Sequence, residues 1–275
     1  MSASARPRPA AAVQAYVLHR YDWSETSLVL DLFTRERGRL AVAAKGAKRP
    51  YSQLRPVLLP FQRISVALGR APVDEQSEVL TLRQAEWGGA LAPLRGEALF
   101  AGFYLNELLM KLLARQDAHP ALFDAYAATL GALAAAGPAG LQPALRAFEL
   151  RLLRETGVLP ELSLATATQQ PLREPLRYRL DAEAGLVATG AAEGAGPGVA
   201  GLPAAAWVAL EAALGQADSD AALREACAAV GGGLRAALQP LLHYHLGPSM
   251  LRTPQVLRDV RRLLEPTQAA TRLQR

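Results

Sequence analysis

Apolar and polar residues alternate along the first 85 residues, in short runs rich in Val, Leu, Ile and Phe. In the second run Leu28, Leu30 and Leu32 would project to one side, because successive side chains of an extended chain point to opposite faces. Turn residues separate the runs. The pattern therefore predicts five strands, at Ala12–Arg20, Thr26–Thr34, Gly38–Lys45, Phe61–Gly69 and Glu78–Gln84.

Two connections indicate how these strands are arranged. The second and third strands are joined by residues 34–38, where Gly38 can supply the positive φ that a tight hairpin favours. The third and fourth are separated by Ala47–Pro60, which is too long for a hairpin and in which Ser52–Leu54 can form one helical turn. Five short strands with a helical insertion after the third are typical of an OB-fold barrel.

Beyond Glu86 the apolar residues recur every three or four positions, as on one face of a helix. This period predicts helices at Leu94–Arg115, Pro120–Ala136, Gln142–Thr156, Pro203–Gly215, Asp220–Leu246 with a break at Gly231–Gly233, and Pro254–Leu264. Within the interruption of the helical pattern, Leu176–Leu180 and Gly185–Ala188 predict a β-hairpin, and Gly190–Gly201 a loop.

The predicted fold class is therefore α+β with several domains: an N-terminal OB-fold β-barrel followed by an α-helical domain with a small β-hairpin insertion. We expect residues 1–85 to form a nucleic-acid-binding barrel and residues 86–157 to form the first part of the helical domain. Residues 158–203 would form the hairpin and loop insertion, residues 204–265 the second helical part, and residues 266–275 a disordered tail.

The charges are unevenly distributed. Residues 1–85 hold 13 Lys and Arg against 7 Asp and Glu, residues 86–251 hold 11 against 16, and residues 252–275 hold 6 against 2. Basic ends around an acidic middle favour a polyanionic partner. No apolar stretch reaches the ~18 residues of a membrane span, and the N-terminus lacks the apolar core of a signal peptide. We therefore expect a cytoplasmic protein with no membrane partner.

The side chains that catalysis or metal binding would need are not grouped in the sequence. His243 and His245 are two positions apart, which directs them to different sides of a helix. Cys227 is the single cysteine and lies in an Ala-rich helix, where a buried thiol is expected. A nuclease would need clustered carboxylates, for which Asp74, Glu75 and Glu78 are the nearest candidates. We expect no enzyme, no cofactor and no metal site.

A basic cluster with an aromatic ring follows the second strand. Cations on loops can track a phosphate backbone while a flat ring stacks on a base, which is how OB barrels hold single strands. The candidate DNA-binding residues are Arg35, Arg37, Arg39, Lys45, Lys48, Arg49, Tyr51 and Arg55. The alternative is a scaffold whose barrel binds a protein partner, since a fold does not fix a function.

The stretch Val17–Leu54 (VLHRYDWSETSLVLDLFTRERGRLAVAAKGAKRPYSQL) resembles the opening barrel of the RecO family, as do LLPF at Leu58–Phe61 and TLRQAE at Thr81–Glu86. The matching positions are Glu25, Ser27, Thr34, Gly38, the triplet Ala44–Gly46, Ser52, Pro60, Phe61 and Glu86. Weaker similarity continues through Phe148–Gly157 and the hairpin to the ending Tyr244–Leu264. The resemblance spans nearly the whole chain.

The resemblance implies a non-enzymatic DNA repair and recombination mediator that binds single- and double-stranded DNA and anneals complementary strands. It also implies cooperation with RecR, and in some organisms RecF, to load RecA onto DNA coated by single-stranded-DNA-binding protein. Many family members hold zinc with four cysteines in the insertion; residues 158–203 contain none here, so packing must hold the hairpin.

The tail of single-stranded-DNA-binding protein is acidic and ends in apolar residues, so its receptor should combine an apolar groove with cations. The candidates on predicted helices are Lys111, Arg115, Arg146, Arg151 and Arg154. Four arginines near the C-terminus, Arg252, Arg258, Arg261 and Arg262, could either extend a DNA path or remain in solvent.

Overall fold

The computed structural model of the chain describes residues 12–69, 79–89, 92–189, 201–216, 220–247 and 251–257. Its N-terminal part is a closed five-stranded barrel in the order β1-β2-β3-β5-β4, in which β3 and β5 are parallel. The strands are β1 (Val13–Asp22), β2 (Leu28–Thr34), β3 (Gly38–Ala44), β4 (Arg63–Leu68) and β5 (Val79–Trp87), with the short helix α1 (Leu54–Val57) between β3 and β4. This is the OB arrangement, so the predicted barrel is confirmed.

Alternation along the strands divides the barrel into an apolar interior and an outer face. Leu30, Leu32 and Val42 are fully buried inside the barrel. The turn between β2 and β3 needs glycine, because Gly38 has φ +62° and a Cβ there would lie 1.8 Å from the carbonyl oxygen of Asp117. The backbone of the helical region thus lies directly against this end of the barrel.

The outer face of β1 and β2 packs against α2 (Glu97–Leu112) and α3 (Pro120–Ala135). Helix α4 (Pro138–Glu155) packs in turn against these two helices. Tyr16 and Phe33 of the barrel lie with their ring centroids 5.2 and 5.4 Å from that of Phe123 on α3. Tyr126 donates a hydrogen bond to Asn106, whose amide in turn donates to the carbonyl of Leu18. The barrel and helices therefore share one apolar cluster.

A buried arginine completes this contact. The Arg39 guanidinium on β3 donates two hydrogen bonds of 3.1 Å to the carboxylate of Asp31 on β2. It also donates to the carbonyls of Met110 and Leu113 at the C-terminal end of α2. The carbonyls at the end of a helix lack partners within it and carry negative partial charge, so a cation is favoured there. Arg39 thereby joins two strands to one helix.

The insertion after α4 is held by packing against the helical core. It contains two short pairings, β6 (Leu164–Ala165) with β7 (Gln170–Pro171), and β8 (Arg177–Asp181) with β9 (Gly185–Ala188) and β10 (Leu202–Pro203). Tyr178 and Leu186 belong to the helical core cluster. The fully buried Trp207 donates its indole N–H to the carbonyl of Tyr178 at 3.0 Å. The hairpin is thus as predicted, and an indole packs beneath it.

The later helices are α5 (Ala204–Leu214), α6 (Asp220–Val230) and α7 (Gly232–Leu246). The predicted break falls at Gly231, which has φ +66°.

The predicted start of α4 at Gln142 was too late, because Pro138 suits the first helical turn and the helix accommodates Pro143. Residues 252–257 are helical. The rest of the helix predicted at Pro254–Leu264, most of the loop predicted at Gly190–Gly201 and residues 266–275 lie outside the described residues.

Replacing Arg39 by Ala should destabilise the protein strongly. The change removes the closer of the two guanidinium partners of the Asp31 carboxylate, which is 2% exposed, and leaves it with Arg115 at 3.5 Å. Breaking a buried ion pair costs about 3–5 kcal/mol. Urea unfolding at pH 7 measures the difference. Arg37→Ala, two positions away and exposed, is the matched control and should change the free energy of unfolding by less than about 0.5 kcal/mol. Equal small effects from both variants would contradict the assigned role of Arg39.

Candidate nucleic-acid interface

The barrel has two ends, and the predicted basic cluster is divided between them. One end is the β2–β3 turn, which lies against the helices. The other, here called the free mouth, is formed by the β1–β2 turn (residues 22–27) and the connection after β3 (residues 45–55). Strand β3 (Gly38–Ala44) separates the two ends by six residue steps of about 3.3 Å each, or roughly 20 Å.

At the helical end, two of the three arginines are engaged by the protein itself. Arg35 forms an ion pair of 2.8 Å with Asp124 on α3, and its hydrogen bond lowers the pKa of that carboxyl below its ordinary value. Arg39 is buried in the pair with Asp31. Arg37 at the tip of the turn is exposed. Arg39 is therefore occupied by contacts within the protein, and of these three arginines only Arg37 is exposed without an ion pair.

At the free mouth, hydrogen bonds join the two loops. The backbone N–H of Lys48 donates to the carbonyl of Thr26 at 2.9 Å. Its ammonium donates to the carbonyl of Ser24 at 3.2 Å and forms an ion pair of 3.1 Å with Asp22. The amide of Gly46 donates to the hydroxyl of Ser27. Lys48 therefore holds the mouth together, and much of its charge is neutralised by Asp22.

A cleft of about 390 Å³ opens between these loops. Its lining includes the cations Arg20, Lys48 and Arg55. A second, shallower depression beside it is lined by Lys45, Gly46, Arg49, Pro50, Tyr51 and Ser52. The side chains of Lys45, Arg49 and Arg55 are exposed and make no hydrogen bond or ion pair within the described part of the chain. These three cations are free to meet an anion.

Arg20 lines the cleft but is not among the residues that the sequence predicts there. Regular alternation from the inward-facing Val17 would turn Arg20 outwards, but the β1–β2 register shifts between Val17 and His19. Such a bulge changes the side on which all later residues project. Arg20 consequently pairs with the inward-facing Leu30 and points to the mouth, where its guanidinium donates to the carbonyl of Leu58 at 3.4 Å.

The five cations predicted to receive an acidic tail are all paired within the chain. Lys111 and Arg115 lie at the barrel end of α2, opposite Glu107 and Asp31. The other three are on α4, where the pairs are Arg146–Glu149, Arg151–Asp220 and Arg154–Glu211. Arg146 is itself buried beside Glu149, whose pKa burial raises above its ordinary value. The structure does not bring the five together in one groove.

No group of three or more His, Cys, Asp or Glu side chains suited to a metal ion occurs among the described residues. Asp74, Glu75 and Glu78 lie outside them, as do Arg258, Arg261 and Arg262. Arg252 is described, and its backbone N–H donates to the carboxylate of Glu107 at 2.7 Å. None of the described helices is both long and apolar enough to cross a membrane.

Two family models match the chain. The model described as "Recombination protein O N terminal" matches residues 11–89, which include the barrel. The model described as "Recombination protein O C terminal" matches residues 94–253, which include the helices and the hairpin insertion.

Proteins named "DNA repair protein RecO" are similar over most of their length. That of Polaromonas naphthalenivorans (strain CJ2) is 50% identical over 249 residues. That of Variovorax paradoxus (strain S110) is 51% identical over 257 residues, and that of Verminephrobacter eiseniae (strain EF01-2) is 48% identical over 249. Each alignment covers 90% of this chain and 96% of the relative.

Proposed function

Since the chain belongs to the RecO family of DNA repair proteins, we propose that it is a non-enzymatic recombination mediator that binds single- and double-stranded DNA at the free mouth of its barrel and anneals complementary strands. The observation that carries this proposal is the set of unpaired cations Lys45, Arg49 and Arg55 around the mouth, with Tyr51 beside them. We expect the protein to act in the cytoplasm, in association with the nucleoid.

Charge neutralisation is sufficient for the proposed activity. Two complementary strands repel each other through their phosphates, and cations that contact both backbones reduce this repulsion. No bond is made or broken, so no catalytic group is required. Arg37, at the opposite end of the barrel, is exposed and could meet a second stretch of backbone. Arg35 could do so only by leaving Asp124.

Replacing Lys45, Arg49 and Arg55 together by Ala should weaken binding and reduce its dependence on salt. Each lost phosphate contact lowers the slope of log affinity against log salt concentration by about 0.7 for a single strand, so three contacts lower it by about 2. Fluorescence anisotropy with a labelled oligonucleotide at several salt concentrations measures the slope. Lys48→Ala is a separate variant, because Lys48 also holds the loops together.

The matched control removes three exposed positive charges from the helical region, by Arg173→Ala, Arg179→Ala and Arg235→Ala. It changes the net charge by the same amount but should leave the slope within about 0.5 of the wild-type value. If both triple variants change the slope equally, binding follows total charge and the mouth is not the site.

Annealing should require the same cations. We expect the wild-type chain to accelerate pairing of complementary strands that are precoated with single-stranded-DNA-binding protein, and the mouth triple variant to lose most of this acceleration. A fluorescence-quenching assay with a dye and a quencher on the two strands follows the rate. Normal annealing by the mouth variant would refute the assignment, and absence of annealing by the wild-type chain would favour the scaffold alternative.

We also propose RecR as a partner, with RecF in some organisms, for loading RecA, and the acidic tail of single-stranded-DNA-binding protein as a ligand of the helical region. Of the five candidate cations, Arg115 and Arg154 are the most exposed, at 39% and 33%. A bound tail would have to displace Asp31 or Glu211 from them. The proposal therefore predicts binding that is weak and sensitive to salt.

Fluorescence polarisation with a labelled tail peptide tests this directly. Arg115→Ala and Arg154→Ala should each lower the affinity several-fold at low salt, whereas the control Arg173→Ala should not. No binding of the peptide to the wild-type chain at low salt would remove the helical region as the receptor.

A further inference from the structure

The free mouth also presents exposed aromatic side chains. Tyr21 at the end of β1, Trp23 on the β1–β2 turn and Tyr51 on the connection after β3 are 44%, 58% and 95% exposed. The hydrogen bonds between the two loops place the turn that carries Trp23 beside the connection that carries Tyr51. Large exposed rings grouped at one end of a barrel indicate a contact surface.

Trp23 lies on a turn whose backbone is held by hydrogen bonds. The backbone N–H groups of Trp23 and Ser24 both donate to the carbonyl of Ser27, at 3.2 and 3.3 Å. The hydroxyl of Ser24 accepts a hydrogen bond from the backbone N–H of Ser27 at 3.1 Å. The turn is further attached to Lys48 through Ser24 and Thr26. The backbone that carries the indole is therefore preorganised for stacking, because the turn loses little conformational freedom when a ligand binds.

The turn's own charges disfavour a phosphate contact beside Trp23. Residues 22–27 contain the carboxylates of Asp22 and Glu25 and no cation. Asp22 is paired with Lys48, whereas Glu25 is exposed and would repel a phosphate. The cations Lys45 and Arg49 lie on the neighbouring connection. A strand bound at the mouth would therefore place its phosphates towards that connection and its bases towards the β1–β2 turn.

We propose that Trp23 is a base-stacking residue which, together with Tyr51, makes the free mouth selective for unpaired strands over duplex. This rests on the proposed function, because it takes DNA as the ligand of the mouth. Cations bind the backbones of single strands and duplexes alike, whereas the faces of bases in a duplex are already covered by their neighbours. A ring that needs a free base face therefore discriminates between the two forms.

The test compares a labelled oligonucleotide of 20 thymidines with a duplex of 20 base pairs, by fluorescence anisotropy of the full chain. Trp23→Ala should lower the affinity for the single strand about tenfold and leave the affinity for duplex within twofold. Trp23→Phe keeps a stacking face and should restore most of the single-strand affinity. Trp87→Ala is the matched control, because Trp87 is also an exposed indole (53%) but belongs to β5, opposite Ile64 of β4, and lines neither depression of the free mouth; it should change neither affinity.

Equal losses for single strand and duplex in Trp23→Ala, or no loss for either, would overturn the stacking role while leaving the proposed function intact. Failure of the wild-type chain to bind either DNA would instead reject the proposed function.

Intrinsic fluorescence gives a readout that does not depend on the alanine variant folding. In Trp87→Phe the remaining tryptophans are Trp23 and the buried Trp207, and saturating oligonucleotide should quench the exposed emission. Trp23→Phe should show no such quenching. Unquenched emission from Trp87→Phe at saturation would overturn the stacking role.

Discussion

The contact of Arg39 with Asp31 and with the end of α2 determines which surfaces of the barrel remain available. One guanidinium satisfies a buried carboxylate on the neighbouring strand and two carbonyls of the helix that packs across it. A charge this deeply buried is stable only when it is paired and fully hydrogen-bonded. Because these bonds need both strands and the helix in place, they fix the helical region against one end of the barrel.

The aromatic cluster around this ion pair makes the contact extensive. Tyr16 and Phe33 on the outer face of the barrel pack against Phe123 and Tyr126. That part of the outer face is therefore part of the core. Of the two ends of the barrel, the one left open for a ligand is the free mouth, where the connections after β1 and β3 meet. The proposed interface therefore lies at the end that the helical region does not cover.

Pairing within the chain further separates the cations that are free to meet a phosphate from those that are already neutralised. The helical region is acidic, and its arginines at 146, 151 and 154 each face a carboxylate. The barrel mouth has fewer carboxylates, and Lys45, Arg49 and Arg55 face solvent. A net charge of +5 is therefore a poor guide to binding; the positions of the unpaired charges matter.

The strands, the glycine turn and most helix positions could be predicted from the sequence, because alternation and helical period are local properties. The sequence could not predict that the basic cluster is divided between the two ends of the barrel. Strand β3 separates the two parts, and only tertiary packing shows that one of them faces helices. Arg39 differs from Arg37 through an acid eight positions earlier and a helix over seventy positions later. The sequence also did not predict that Arg20 points to the mouth, because a β-bulge changes its side of the strand. Trp23 was not a candidate because its turn contains no cation.

Amide hydrogen exchange with and without a single-stranded oligonucleotide tests the central claim, that the free mouth is the surface left for DNA. DNA should slow exchange in residues 21–27 and 45–55 more than in the turn at residues 34–39, where Arg35 and Arg39 are already engaged by carboxylates of the protein. Protection confined to the helical region, with unchanged exchange at the mouth, would contradict it.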